Sequence, residues 1–174
     1  MHHVYVSIGS NIDREEHIRS AYNALQENFE QLICSPVYES EAVGFEGENF
    51  FNLVVGFKTH ITLVELAKKL RAIEDEQGRD RKTPKFSART LDLDILSYDD
   101  KVGDFAGTVL PREEITYNAF VLKPLADIAG EALHPVLKKT YGDLWGEFDN
   151  NKQKLWQIDF PWHKQVLPEN EKAG

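Results

Sequence analysis

The feature that most constrains this sequence is a stretch near the middle of the chain in which apolar and acidic side chains alternate. A period of two is typical of a β-strand with one buried and one accessible face. We expect Leu91, Leu93 and Ile95 to point into a core. Asp92 and Asp94 should then project together from the opposite face, where two carboxylates can share divalent cations. The plain alternative is a half-buried strand that carries acids outward, but Asp is depleted in strands and two acids on one face repel each other.

A cationic segment precedes this strand. Residues 79–89 contain five of the chain's 20 basic residues, together with Pro84. Metal ions and Arg side chains both neutralise polyphosphate oxygens, so a basic segment that leads into a strand with two carboxylates suits phosphoryl transfer. The sequence therefore predicts a site for a metal ion and a polyphosphate.

Charge and composition narrow the choice of partner. The chain has 29 acidic and 20 basic residues, which gives a net charge of -9. A general nucleic-acid binder should be basic, so we expect small-molecule substrates and no nucleic acid. The single Cys34 leaves no internal disulfide, and no apolar run approaches the roughly 20 residues of a membrane span. We therefore expect a cytoplasmic protein without membrane contact, as a monomer or weak dimer.

The predicted elements give an α+β fold. In chain order they are a strand at 4–8, a helix at 13–29, strands at 32–39 and 50–59, a helix from Thr62 to Gly78, and the strand at 89–96. Asp13 with Glu16, and Thr62 with Glu65, are predicted as capping boxes. The order strand, helix, strand, strand, helix, strand indicates a ferredoxin-like sandwich, an antiparallel sheet with helices on one face and an open face for ligands.

The remaining chain shows weaker patterns. We expect a hairpin or loop at 97–107 and amphipathic segments at 125–133 and 143–148. Residues 1–160 are predicted to form one domain. Residues 161–174 are predicted to be a loosely ordered tail, because they are charged and contain Pro168 without periodicity.

Three stretches carry a resemblance to a known family. They are Gly9-Ser10-Asn11, the helix end from Glu74 to Arg81, and residues 89–96, in this order and spacing. Together they resemble the 6-hydroxymethyl-7,8-dihydropterin pyrophosphokinases of folate biosynthesis, and the similarity extends over residues 4–160. The resemblance implies the ferredoxin-like α+β fold. It also implies transfer of a pyrophosphoryl group from ATP to the hydroxymethyl group of a reduced pterin, with release of AMP.

The resemblance assigns roles to individual residues. Asp92 and Asp94 match the ligands of two Mg²⁺ ions, and they form the catalytic group together with Arg79 and Arg89. Phe50 and Phe120 match an aromatic pair that sandwiches the flat pterin, whereas without the family both would be assigned to core packing. The residues matched to the ATP site are Glu74, Arg79, Arg81, Lys85, Arg89, Ile95 and Arg112. The residues matched to the pterin site are Ser40, Val43, Phe50, Asn52, Asp92 and Phe120.

The sequence also departs from the family pattern. Arg112 stands where the family typically has His, Asn118 lies near the position of an Arg, and residues 85–88 replace Arg-Trp-Gly-Pro. These differences keep two alternatives open. One is a pterin-binding relative with a different acceptor or without turnover, and the other is a different Asp-x-Asp metal-dependent transferase that uses a nucleotide. A P-loop kinase is excluded because the chain lacks Gly-x4-Gly-Lys-Ser/Thr.

Overall fold

The structure is a computed structural model that describes residues 1–41, 48–78, 91–151 and 153–162. The strands are β1 (His2–Ser10), β2 (Glu30–Cys34), β3 (Val37–Ser40), β4 (Phe50–Thr59), β5 (Asp92–Tyr98), β6 (Gly103–Phe105), β7 (Thr108–Leu110) and β8 (Leu155–Ile158). The helices are α1 (Arg14–Asn28), α2 (Leu63–Glu76), α3 (Glu114–Tyr117), α4 (Ala119–Ala129) and α5 (Tyr141–Glu147).

The main sheet is antiparallel and has the order β5-β1-β4-β3-β8, with β2 also paired to β4. This order confirms the ferredoxin-like arrangement. The predicted strand 32–39 is split into β2 and β3 at Ser35 and Pro36. Pro36 has no N–H to donate to the ladder. Ser35 keeps the chain attached to β4, since its N–H donates to the Val54 carbonyl and its hydroxyl accepts from the Val54 N–H, both at 2.9 Å.

The first core cluster lies between α1, α2 and one face of the sheet. It contains Leu91, Leu93 and Ile95, which are 0%, 6% and 6% exposed, so the alternation predicted for this strand is confirmed.

The Thr62 cap of α2 is also confirmed, because its hydroxyl accepts from the Glu65 N–H at 3.2 Å. The Asp13 capping box is wrong: Asp13 has a left-handed backbone with φ 43°, and its side chain makes no capping hydrogen bond. A capping residue normally has an extended backbone.

The second core cluster covers part of the opposite face. Val54 of β4 and Leu96 of β5 pack there against Leu122 and Leu125 of α4. The expectation of helices on one face therefore holds for α1 and α2, whereas α4 and α5 add a layer on the other face. This layer also explains why the alternation ends at Leu96, because from there β5 is buried on both sides. The helices begin earlier than the predicted segments 125–133 and 143–148, since α4 starts at Ala119 and α5 at Tyr141.

The chain after α5 returns to the sheet. Strand β8, which the sequence did not predict, pairs with β3. Only the first residues of the predicted tail, Pro161 and Trp162, lie within the described ranges. The Pro161 carbonyl accepts a hydrogen bond from Arg19 at 2.9 Å, and the Trp162 ring lies 4.8 Å from that of Tyr22. In the ranges given above, no helix combines the length and the apolar character that crossing a membrane requires.

Candidate active site

A row of directly paired residues crosses the sheet at the candidate site. Asp92 of β5 pairs with Gly9 of β1, Gly9 pairs with Asn52 of β4, and Asn52 pairs with Tyr38 of β3. Directly paired residues of antiparallel strands project from the same face. Since neighbouring strands lie about 4.8 Å apart, the Cα atoms of Asp92 and Asn52 are roughly 10 Å apart. Asp94 lies on the same face of β5, so the predicted metal ligands and the predicted pterin ligand share one surface.

The Asn52 amide is held in a fixed orientation. Its Nδ2 donates to the Ser40 hydroxyl at 2.8 Å, and the two residues are only 7% and 5% exposed. A Cβ atom at Gly9 would lie 3.2 Å from Asn52 Oδ1, so Gly9 allows the amide oxygen to lie close above β1. Phe50 pairs with Ser40 and is half-buried at the same end of β4. Together these groups offer an amide and an aromatic ring beside the carboxylates.

The predicted partner of Phe50 lies at the start of α4. Phe120 is half-buried and packs against the second core cluster. The beginning of this helix is fixed by Gln153, which sequence reasoning missed. Its Oε1 accepts from the Ala119 N–H at 2.7 Å, and its Nε2 donates to the Tyr117 carbonyl at 2.6 Å. Gln153 thus joins the end of α3 to the start of α4, the helix that carries Phe120.

Glu74 reaches β5 between the two aspartates. Its Oε2 accepts a hydrogen bond from the Leu93 N–H at 2.9 Å, and the residue is only 6% exposed. Among the described strands β5 forms one edge of the main sheet. The carboxylate therefore satisfies a main-chain donor at that edge and fixes the backbone that carries Asp92 and Asp94.

Arg112 brings a positive charge to the acid pair. Its Nη2 lies 2.7 Å from Glu114 Oε1 and 3.6 Å from Asp94 Oδ1. Burial acts to lower the pKa of Arg112, but the carboxylates of Asp94 and Glu114 outweigh it, so the pKa is raised and the guanidinium stays charged. Within the described part of the chain, Arg112 Nε is a buried atom without a hydrogen-bond partner. Glu114 is a second residue of this site that sequence reasoning missed.

The structure does not bring all predicted residues together. Ile95 is 6% exposed and belongs to the core under α1 and α2, so any contact with ATP would have to involve its main chain. The remaining predicted residues lie outside the described ranges: Val43, Arg79, Arg81, Lys85 and Arg89.

The donor set at the site suits Mg²⁺. Asp92 and Asp94 are half-buried carboxylates, and hard cations prefer oxygen ligands. The ranges described contain no group of three or more His, Cys, Asp or Glu side chains arranged to hold a metal ion. Mg²⁺ usually binds through one or two carboxylates and completes its shell with water and substrate phosphates, so the pair is sufficient for that type of site.

The chain is similar to known proteins of one family. Residues 5–130 match the family 7,8-dihydro-6-hydroxymethylpterin-pyrophosphokinase (HPPK). The 2-amino-4-hydroxy-6-hydroxymethyldihydropteridine pyrophosphokinase of Aquifex aeolicus is 37% identical over 138 residues, which cover 78% of this chain and 86% of that protein. The enzyme of the same name from Bacillus subtilis is 35% identical over 128 residues, covering 71% of this chain and 76% of that protein.

The fold is shared with more distant proteins. A crystal structure of Plasmodium falciparum HPPK-DHPS matches with a TM-score of 0.64 at 14% identity. The match covers 84% of this chain and 43% of that chain, so this chain spans less than half of the Plasmodium protein. At this identity the likeness concerns the fold alone. On the match over residues 5–130 and the relatives at 35–37% identity, the chain belongs to the HPPK family.

Proposed function

We propose that the protein transfers a pyrophosphoryl group from ATP to the hydroxymethyl group of 6-hydroxymethyl-7,8-dihydropterin in folate biosynthesis. The products are AMP and the pterin diphosphate. The observation that carries the proposal is the row from Asp92 through Gly9 to Asn52, because it sets a carboxylate that can hold a metal ion beside an amide that can hydrogen-bond a heterocycle. A separation of roughly 10 Å between the Cα atoms leaves room for the two substrates to meet above β1.

Asp92 and Asp94 hold Mg²⁺ in this proposal, and we assign two ions to them. When bound, the metal neutralises charge on the triphosphate and on the transferred group. Glu74 keeps the two carboxylates in place through the Leu93 N–H. Arg112 supplies positive charge from the side of α3.

The pterin is bound at the other end of the row. The Asn52 amide, oriented by Ser40, hydrogen-bonds the edge of the pterin. Phe50 and Phe120 contact its faces, and Val43 contributes to the pocket. A flat ring gains from such aromatic contacts, and a fixed amide gives orientation at little entropic cost.

The remaining ATP contacts belong to the basic segment. We propose that Arg79 and Arg89 contact the phosphates during transfer and that Arg81, Lys85 and the main chain of Ile95 complete the nucleotide site. Because the acceptor is an alcohol and the donor a triphosphate, most of the catalysis is positioning and neutralisation of charge.

We further propose that residues 1–160 form one domain that works in the cytoplasm as a monomer or weak dimer. The pairing of β8 with β3 and the burial of Phe160 at 7% exposure support a domain of this length. The net charge of -9 supports small-molecule substrates without nucleic acid as a partner.

The test is to incubate the protein with ATP, Mg²⁺ and 6-hydroxymethyl-7,8-dihydropterin and to quantify AMP and pterin diphosphate together. We expect both products in equal amounts. Asp94→Asn should lower turnover at least about 100-fold while pterin still binds, as expected when charge stabilisation of the transferring group is lost. The matched control is Asp100→Asn, since Asp100 is exposed in the turn after β5.

Three results would argue against the proposal. Pterin binding without AMP would indicate a pterin-binding relative without turnover. Release of AMP that does not depend on pterin would indicate another Asp-x-Asp transferase. Near-normal turnover of Asp94→Asn would contradict the metal assignment.

A further inference from the structure

The Arg112 guanidinium lies between two carboxylates that come from different parts of the fold. Asp94 is on β5, and Glu114 begins α3. Both contacts use Nη2, at 3.6 Å from Asp94 Oδ1 and 2.7 Å from Glu114 Oε1. The contact with Glu114 is a hydrogen bond, whereas the contact with Asp94 is longer than a hydrogen bond and is an ion pair.

We propose that Arg112 is an exchangeable counter-ion of Asp94: it pairs with Asp94 when no metal is bound and moves to the nucleotide phosphates when a metal takes Asp94. Glu114 holds the guanidinium near the site in both states. Arg112 then couples metal binding to nucleotide binding. This inference rests on the proposed function, because it requires Asp94 to be a metal ligand and ATP to be the donor.

The geometry favours exchange. The Arg112 side chain is 35% exposed and that of Asp94 34%, so water screens their attraction and the pair is weak enough to break. The Arg112 N–H donates to the Leu96 carbonyl at 3.0 Å, which ties the Arg112 backbone to β5 two residues beyond Asp94. Only the side chain therefore has to move.

Arg112 also has unused capacity to donate hydrogen bonds. Among the described residues its Nε is buried without a partner, which is an unfavourable position for a donor. A guanidinium presents several donors in a plane and binds phosphate oxygens in pairs. A triphosphate beside Asp94 would offer acceptors to the Arg112 guanidinium, whose Nε has no acceptor among the described residues.

The consequence is a mutual dependence of the two ligands. A metal ion that arrives alone has to displace Arg112 from Asp94 and leaves the guanidinium without that partner. A metal ion that arrives with a triphosphate supplies the replacement partner. Each ligand therefore strengthens the binding of the other, and this coupling is reciprocal.

The experiment measures binding of Mn²⁺, as the probe for the metal site, by electron paramagnetic resonance with the full chain. Each protein is titrated without nucleotide and again with a saturating non-hydrolysable ATP analogue. Affinity for the analogue in the presence of Mn²⁺ is measured separately by calorimetry. The proteins are wild type, Arg112→Ala, Arg112→Lys, Asp94→Asn and the control Lys139→Ala, which removes an exposed charge paired with Glu147.

We expect Arg112→Ala to bind Mn²⁺ alone about twofold to fivefold more tightly than wild type, because the metal no longer has to break the ion pair with Asp94. The factor corresponds to the free energy of a partly exposed ion pair. The same variant should bind the analogue about tenfold more weakly, because a charge-assisted contact is lost. Arg112→Lys keeps the charge but not the planar fork, so its affinity for Mn²⁺ alone should stay near the wild-type value while its affinity for the analogue falls. Lys139→Ala should match wild type in both titrations.

Unchanged or weaker binding of Mn²⁺ alone by folded Arg112→Ala would overturn the inference, as would unchanged affinity for the analogue. The Asp94→Asn variant separates this failure from failure of the proposed function. If Asp94→Asn loses Mn²⁺ with the analogue present while Arg112→Ala behaves as wild type, only the counter-ion inference is wrong. If Asp94→Asn binds Mn²⁺ as well as wild type does, both are wrong.

Discussion

Glu74 offers a direct test of how the strand that carries Asp92 and Asp94 is held. In Glu74→Ala the Leu93 N–H loses the carboxylate that accepts its hydrogen bond at 2.9 Å. The position is only 6% exposed, so water replaces the acceptor poorly. A hydrogen bond to a charged group contributes about 1.5–3 kcal/mol, and we expect the free energy of unfolding to fall by that amount. For a chain of this size the melting temperature should fall by roughly 3–12 °C.

A second substitution separates charge from hydrogen bonding. Glu74→Gln keeps an oxygen that can accept from Leu93, so at this contact it should lose the advantage of the charge, about 1 kcal/mol. The control is Glu76→Ala on the exposed last turn of α2, where a surface substitution should stay within about 0.5 kcal/mol.

The assay is urea unfolding followed by the fluorescence of the chain's three Trp residues. Equal slopes of the unfolding free energy against urea concentration would show that the variants expose the same amount of surface when they unfold. The reasoning would be refuted if Glu74→Ala were no less stable than Glu76→Ala. It would also be refuted if Glu74→Gln lost as much stability as Glu74→Ala, because the amide oxygen would then contribute nothing.

Two further predictions concern a buried His and the proposed pterin site. His134 is 4% exposed, its Nδ1 accepts from the Val136 and Leu137 N–H groups, and burial lowers its pKa. The folded pKa lies below the unfolded value of about 6.5, so the stability that neutral His134 contributes should be fully present above about pH 6.5 and lost as the pH falls through the folded pKa. His134→Asn should therefore flatten the fall in unfolding free energy that urea unfolding shows between about pH 7.5 and 5.5. An unchanged slope of this free energy against pH would contradict the prediction. Ser40→Ala removes the acceptor of the Asn52 amide, so the KM for pterin should rise about threefold to tenfold while the KM for ATP stays the same. The exposed Ser20→Ala is its control, and an equal rise in both KM values would argue against a role at the pterin.

The parts of the fold that follow local rules were predictable. The alternation around Asp92 and Asp94 identified a strand and its buried face, because the period of side chains in a strand depends only on neighbouring residues. The Thr62 cap was predictable for the same reason. The capping box predicted at Asp13 was wrong because the backbone enters α1 there in a left-handed conformation. The type of side chain does not reveal that backbone conformation.

The contacts that assemble the site depend on distant parts of the chain and were not predictable from pattern. Arg112 reaches Asp94 because the hairpin of β6 and β7 returns the chain to β5, where the Arg112 N–H binds the Leu96 carbonyl. Gln153 is an ordinary polar residue in sequence, and only the fold brings it to α4. Strand β8 escaped detection because its four residues have the burial pattern of an edge strand, with no regular alternation.

The position of β8 limits how far this domain can be shortened. The family match ends at residue 130, yet β8 lies later in the chain and covers the outer edge of β3. A version cut at that boundary would leave unpaired the main-chain donors and acceptors on the edge of β3 that faces β8, and exposed edges of this kind promote association between chains. It would also lose Gln153 and with it the contacts that secure the start of α4. Expression of the domain, alone or fused to another protein, should therefore retain the chain through Phe160.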